Sequence, residues 1–330
     1  MFEKRLEEVS KKLNSGKEKE FFILTHKKHR REIYFQNNQR AISFIKKKFY
    51  SKKKSMISSL FYLLTYSLIK TGLLQLFLKK IYLSKYFGGV VFVAGQIKGF
   101  NLSEKEVISF PLEEKDKKTF IKVKRFERKI AKGVGFAPKL IKLDEEIPYS
   151  KEELLKECGS GREVEIFKKL ILFYSSQGIK EISSKIYIKS LINRMNEKSI
   201  KNKYLMNMLK KLLKFDKKIL ITILHGDFGK ENILINKKNL PVFIDWEPDK
   251  GLIIWDLINF FRGEKDLLKN KKFLEILKIF PKQVQENIGL YIILNEISGI
   301  LKDGKVNKLS MERIKKCHHL FFLLKINPPR

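Results

Sequence analysis

Two acids and an amide at fixed spacing constrain this chain more than any other feature. In the run Leu224-His225-Gly226-Asp227-Phe228-Gly229-Lys230-Glu231-Asn232-Ile233-Leu234, Asp227 stands five residues ahead of Asn232, and Asp245 follows 18 residues after Asp227. Between them, Ile233-Leu234-Ile235 and Val242-Phe243-Ile244 flank Asn236-Lys237-Lys238-Asn239. Short apolar runs around a polar turn predict a β-hairpin. Folding back through it returns Asp245 to the side of Asn232, so that a carboxylate and a carboxamide converge on one point. Hard oxygen donors of this kind suit magnesium. Gly226 leaves the backbone free to turn sharply beside Asp227. His225 is expected to fix the loop by hydrogen bonding, which requires no titration.

Phosphoryl transfer from ATP uses such groups in this order. An Asp accepts or orients the proton of the attacking hydroxyl; an Asn five residues on, and an Asp after a short hairpin, hold magnesium between the phosphates. The chain has no G-x-x-x-x-G-K-[ST] run, which argues against a P-loop enzyme. The set His225-Gly226-Asp227, Asn232 and Ile244-Asp245-Trp246-Glu247 resembles the aminoglycoside phosphotransferase and choline kinase-like superfamily, whose members carry HGD where protein kinases carry HRD. Downstream, Gly251-Leu252-Ile253-Ile254-Trp255-Asp256-Leu257 resembles the segment bearing that family's second structural Asp, which places Asp256 in the role of pinning the catalytic loop. The DWE element followed by WDL-x-x-F is similar to members found with bacterial surface-polysaccharide genes.

The resemblance implies an α+β, two-lobed protein-kinase-like fold. A small β-rich N-lobe would occupy residues 87–148 and a helical catalytic C-lobe residues 149–330, behind a basic N-terminal extension at 1–86 with an apolar helical segment. It implies ATP and magnesium as cofactors, and Asp227 acting on a hydroxyl of a small-molecule or glycan-type acceptor. It also implies a lysine for the α- and β-phosphates, paired with a helix glutamate. Phe120-Ile121-Lys122-Val123 has the strand pattern that carries such a lysine, so Lys122 is expected there, with Lys124 its nearest rival. Glu127 is the expected helix partner, ahead of Glu113 and Glu114. Gly95 and Gly99, in Gly95-Gln96-Ile97-Lys98-Gly99, lie where the phosphate-covering loop belongs. The choice between ATP and GTP stays open. A pseudokinase scaffold that holds a partner, anionic lipid or RNA on a basic surface is the alternative reading.

Secondary-structure signals are consistent with this order. Strands are expected at 90–93, 106–110, 119–123 and 139–143, a helix at 125–132, and a hairpin from 21–24 and 33–35. Beyond 150 the pattern is mainly helical, with stretches at 164–174 and 204–215 and one β-rich island at the 233–244 hairpin. Gly159-Ser160-Gly161 reads as a hinge or a helix start.

Charge is the other constraint: 70 Lys and Arg stand against 36 Asp and Glu, a formal net charge of +34. Coding biased toward A and T raises Lys but raises Glu as well, so it does not account for the imbalance. Such a surface attracts anionic lipid, nucleic acid or phosphorylated substrates. No zinc-finger spacing, RRM signature or basic heptad accompanies the charge, so nucleic-acid binding rests on charge alone. Residues 46–54 hold six lysines in nine, and residues 56–78 form the most apolar stretch, 23 residues long. A buried helical hairpin, a helix in the membrane interface and a transmembrane span all fit that stretch. Lysines on both sides remove the asymmetry that would orient a span. An anionic membrane surface is therefore a candidate partner, and a cytoplasmic protein, peripheral on the inner face of the membrane, is the expected localisation. The charged opening of the chain shows no secretory pattern. Two cysteines are too few for a disulfide framework, and Cys317-His318-His319 reads as helix surface or packing.

Overall fold

The structure, a computed structural model, describes residues 2–13, 18–26, 31–46, 67–71, 73, 76–132 and 135–326. It divides into two compact units, Met1–Lys156 and Glu157–Arg330.

The first unit is built on an antiparallel sheet of eight strands: β1 (Glu18–His26), β2 (Arg31–Phe35), β3 (Lys80–Ser84), β4 (Val90–Val93), β5 (Gln96–Asn101), β6 (Glu106–Pro111), β7 (Leu140–Asp144) and β8 (Tyr149–Glu153). Their spatial order is β3-β1-β2-β4-β5-β6-β8-β7. Alternation along each strand assigns side chains to two cores. Phe21 and Ile23 of β1 join Tyr34, Val91, Val93 and Phe110, with Leu6 and Val9 from helix α1 (Glu3–Lys12). Phe22, Phe35, Val90 and Phe100 belong to a second cluster, which Ala41, Ile42 and Ile45 of α2 (Gln39–Ile45) complete. The sequence reading set residues 1–86 apart as an extension. In the structure β1 to β3 are members of the same sheet as β4 to β8, with Tyr34 of β2 opposite Val91 of β4. Most of residues 56–78 lies outside the described residues. Among the described residues no helix is long and apolar enough to cross a membrane.

Residues 119–123, expected as a strand, are helical and belong to α3 (Lys117–Lys132). The buried residues of α3 are Phe120, Lys124, Glu127 and Ile130, spaced four, three and three apart on one face. Two of the four are charged, so the helical stripe is invisible to an apolar count, whereas Ile121 and Val123 imitate strand alternation. Lys124 Nζ lies 2.7 Å from Glu127 Oε2 and 2.6 Å from Glu152 Oε1 on β8. The Ser150 hydroxyl donates to the same Glu152 oxygen at 2.9 Å. Burial alone would lower the lysine's pKa, but the two carboxylates outweigh it and hold the ammonium charged, above its ordinary value.

The second unit carries a three-stranded antiparallel sheet, β9 (Lys180–Ser183), β10 (Lys218–Leu224) and β13 (Asp249–Leu252), with β10 in the middle. A hairpin of β11 (Ile233–Ile235) and β12 (Pro241–Phe243) lies between β10 and β13 in sequence. The helices are α4 (Glu163–Gln177), α5 (Ser184–Glu197), α6 (Lys203–Leu212), α7 (Trp255–Phe260), α8 (Lys271–Leu277), α9 (Lys282–Glu286), α10 (Ile288–Asp303) and α11 (Lys308–Ile326). Buried residues lie all round α10, as befits a helix at the centre of a core. Its Tyr291 hydroxyl accepts a hydrogen bond from Leu220 N of β10 at 2.6 Å, which ties the central strand to the central helix.

Removing the shared cation of the Lys124 cluster leaves two buried carboxylates to repel each other. Lys124→Met is expected to destabilise the chain by about 3–5 kcal/mol, the cost of breaking a buried ion pair from one side. Lys122→Met, on the exposed face of α3, is expected to change stability by less than about 0.5 kcal/mol. Urea unfolding of the two variants checks both values.

Candidate active site

Strand β10 ends at Leu224 and delivers His225, Gly226 and Asp227 as a turn. One buried carboxylate holds that turn. Asp256, in the first turn of α7, accepts from His225 N at 2.8 Å, from Gly226 N at 3.1 Å and from the Tyr174 hydroxyl at 2.7 Å. Its side chain is wholly buried. Burial pushes its pKa up to about 6, against the pull of Tyr174 and the two main-chain donors. The far side of the turn is fixed as well. Glu247 N donates to His225 O at 2.8 Å, while Trp255 Nε1 and Asn259 Nδ2 donate to Gly226 O at 3.2 and 3.3 Å. Gly226 sits at φ +95°, and a Cβ there would lie 2.0 Å from Glu247 O. Only glycine meets both conditions.

His225 is buried, and its Nε2 lies 2.9 Å from the carbonyl of Ile244, to which it donates as the neutral ring. Among the described residues Nδ1 has no hydrogen-bond partner. The ring lies 4.5 Å from Trp246, centroid to centroid, and 5.3 Å from Phe228. Burial lowers its pKa to about 4, with the Ile244 bond and the nearby Asp245 acting the other way. The imidazole is therefore uncharged at neutral pH, and what it does is tether the turn to the residue before Asp245.

Asp227 is half exposed. Asn232 Nδ2 donates to the Asp227 main-chain oxygen at 2.7 Å and approaches its Oδ2 at 3.2 Å. With the amide nitrogen so committed, the acceptor end of the Asn232 side chain, Oδ1, is left for another ligand. The hairpin pairs Ile233 with Phe243, and Ile244 N donates to Asn232 O at 2.9 Å. Asp245 follows immediately, with φ +57°, a region that Asp tolerates better than most residues. The main chains of Asn232 and Asp245 are thus one residue apart across the hairpin end. Among the described residues no group of three or more His, Cys, Asp or Glu side chains could hold a metal. A carboxamide oxygen and a carboxylate are donor types that fit a hydrated magnesium ion, which takes few protein ligands and keeps water and phosphate for the rest.

Sequence reasoning missed two residues here. Arg262, just beyond α7, places Nη1 3.9 Å from Asp227 Oδ1 and bonds Glu231 through Nη2. Tyr174 on α4 supplies the third donor to Asp256. Neither lies in a motif; the only sequence signal is that Arg262 follows Asp256 by six residues.

The remaining expected site residues belong to the first unit. Gly95 forms the tight turn between β4 and β5 with Ala94, and Gly99 lies within β5, where a Cβ would come 3.0 Å from Phe87. Lys122 is exposed. The lysine partner of Glu127 is Lys124, which takes the pairing expected of Lys122. The reason is the helix: residues 124 and 127 share its buried face, and residue 122 does not.

No family model matches the chain, and neither does any curated protein. Solved structures do align. Choline kinase LicA from Streptococcus pneumoniae is 16% identical, with 68% of this chain and 88% of that one covered at a TM-score of 0.46. A choline/ethanolamine kinase family protein from Mesorhizobium loti is 15% identical over 70% and 84%, at 0.43. Macrolide 2'-phosphotransferase MphH from Brachybacterium faecium is 13% identical over 71% and 89%, also at 0.43. Likeness at this level does not assign a family.

The buried imidazole generates a pH prediction. In the unfolded chain it gains a proton below its ordinary pKa of 6.5, and in the folded chain only near 4. The stability it contributes is complete above about pH 6.5 and is lost as pH falls toward about 4. His225→Gln has no such proton to gain. The stability difference between wild type and H225Q is expected to shrink by up to about 3 kcal/mol over that interval, measured as urea unfolding free energies at a series of pH values.

Proposed function

We propose that this chain is an ATP- and magnesium-dependent phosphotransferase of the protein-kinase-like, aminoglycoside phosphotransferase and choline kinase type, acting on a hydroxyl of a small or glycan-type acceptor. The observation that carries the proposal is the clamp on the 225–227 turn. Three donors on one buried carboxylate fix the backbone from which the half-exposed Asp227 projects, and the hairpin brings Asp245 back beside Asn232.

In this reading the Asp227 carboxylate accepts the proton of the acceptor hydroxyl as its oxygen forms a bond to the γ-phosphorus. The bond from that phosphorus to the β–γ bridging oxygen breaks, and ADP leaves. Asn232 Nδ2 sets the rotation of the Asp227 side chain. Arg262 is a cation close enough to orient the carboxylate and to favour a negatively charged phosphoryl group near it. Asn232 and Asp245 would hold magnesium, which supplies neutralisation of phosphate charge when bound. His225 and Asp256 position the loop and touch no reacting atom. A pocket that takes polycationic drugs needs acidic walls, and a net charge of +34 argues for a different acceptor.

The finer proposal is that the acceptor is met at an anionic membrane surface. Leu73, Leu76 and Phe77 are 53%, 77% and 84% exposed, and the exposed Lys70, Lys79 and Lys80 stand close to them in sequence. Exposed apolar groups beside ammonium groups suit the headgroup region of a bilayer.

Measuring ADP formation with a panel of sugars and amino alcohols tests the activity. Asp227→Asn is expected to lower kcat by about 10²–10⁴ with KM for ATP little changed. Equal background turnover in both proteins would favour a binding scaffold instead. For the membrane, the full-length chain is expected to co-sediment with phosphatidylglycerol vesicles at low salt and to be released at high salt. Protein that stays in the supernatant at low salt would contradict it.

A further inference from the structure

A cavity of about 630 Å³ opens in the second unit between residues 265–269 and α11, and its lining shares no residue with the Asp227 site. Its size falls within the range of small-molecule sites, roughly 300–1,000 Å³. Leu268, half-buried, gives it an accessible apolar wall, and Leu267 and Ile292 of α10 lie buried behind it. Lys265, Lys269, Lys315 and Lys316 form an exposed rim. Asp266 is the one carboxylate among the lining residues, and Lys316 bonds it at 3.0 Å.

Arg313 also lines the cavity but is already engaged. It is buried, pairs with Glu296 at 2.7 Å and donates to the carbonyls of Phe261, Arg262 and Glu264. It therefore acts as a wall rather than as a free ligand group. Three rim ammonium groups, those of Lys265, Lys269 and Lys315, form no ion pair among the described residues, and that of Lys315 lies 5.9 Å from the centroid of the Tyr204 ring.

The two halves of this surface ask for different chemistry. The lysine rim favours an anion and repels a cation. The accessible face of Leu268 gains from a hydrocarbon group and gives nothing to a small hydrated ion. We propose that this cavity is a binding site for an anionic amphiphile, a phosphate-bearing lipid whose headgroup meets the lysine rim while the first part of its acyl chain covers Leu268. The site is independent of phosphoryl transfer and would exist in a scaffold as well as in an enzyme.

Calorimetric titration of the full-length chain tests it with three probes: dihexanoylphosphatidic acid below its micelle concentration, inorganic phosphate, and zwitterionic dihexanoylphosphatidylcholine. Saturable binding of phosphatidic acid alone is expected. It should be lost in Lys269→Glu/Lys315→Glu and weakened in Lys269→Gln/Lys315→Gln. It should survive in Lys122→Glu/Lys129→Glu, which changes the net charge equally but lies on α3 of the first unit, outside the cavity lining. All exchanged lysines are exposed, and unchanged thermal melting verifies that the variants fold. Equal binding of inorganic phosphate would overturn the amphiphile assignment. Equal losses in the cavity and control variants would reduce the effect to general surface charge. Absence of phosphatidic acid binding to the wild type would remove the proposal.

Discussion

Everything in the second unit that resembles a reaction centre depends on the buried Asp256 carboxylate. A charge in that position costs desolvation, and three donors offset part of the cost. Two of those donors are the consecutive main-chain N–H groups of His225 and Gly226, so the interaction specifies a backbone conformation rather than a side-chain contact. The left-handed Gly226 and the bond from Glu247 N to His225 O then allow one path for the chain. Asp227 needs no buried partner of its own to be well placed, and it remains half exposed to meet a substrate. Rigid backbone support beneath an accessible acid is the arrangement that a positioned base requires.

His225 couples this clamp to the hairpin. Its Nε2 reaches the carbonyl of Ile244, one residue before Asp245, and its ring packs in an aromatic cluster with Phe228, Phe243 and Trp246. Phe228 in turn packs against Phe167 on α4, the helix that also sends Tyr174 to Asp256. Polar bonds set the path of the turn, and aromatic packing fixes it to the rest of the unit.

The 233–244 hairpin and the mixed α/β class were legible in the sequence, while several individual elements were not. Asp227, Asn232 and Asp245 stand in a local pattern, with a hairpin whose polar turn and β-branched flanks are strong signals; in the structure Asn232 bonds Asp227, and Ile244, the residue before Asp245, bonds the Asn232 main chain. Arg262 and Tyr174 were hidden because their contacts are set by tertiary packing. Helix α3 was misread because Lys124 and Glu127 occupy half of its buried face, and charged residues do not contribute to an apolar stripe. Strands β9, β10 and β13 fell within a stretch read as helical. In β10, Ile219-Leu220-Ile221 is a continuous apolar run, buried without alternation, and periodicity alone does not separate such a run from helix. The first two strands read as a hairpin, but their place in the larger sheet depends on pairings such as Tyr34 with Val91, far apart in sequence, which leave no local signal. Among the described residues the buried acids, Glu32, Glu127, Glu152, Asp256 and Glu296, outnumber the buried lysines and arginines, Lys124 and Arg313.

The central claim is that Asn232 and Asp245, held beside Asp227, bind one divalent ion together with a nucleoside triphosphate. Electron paramagnetic resonance of Mn²⁺, titrated into the full-length chain with a non-hydrolysable ATP analogue, tests this without knowledge of the acceptor. The account predicts a single bound Mn²⁺ that depends on the nucleotide and is lost in Asp245→Ala and in Asn232→Ala. Nucleotide-dependent Mn²⁺ binding that is unchanged in both variants, or no such binding in the wild type, would contradict it.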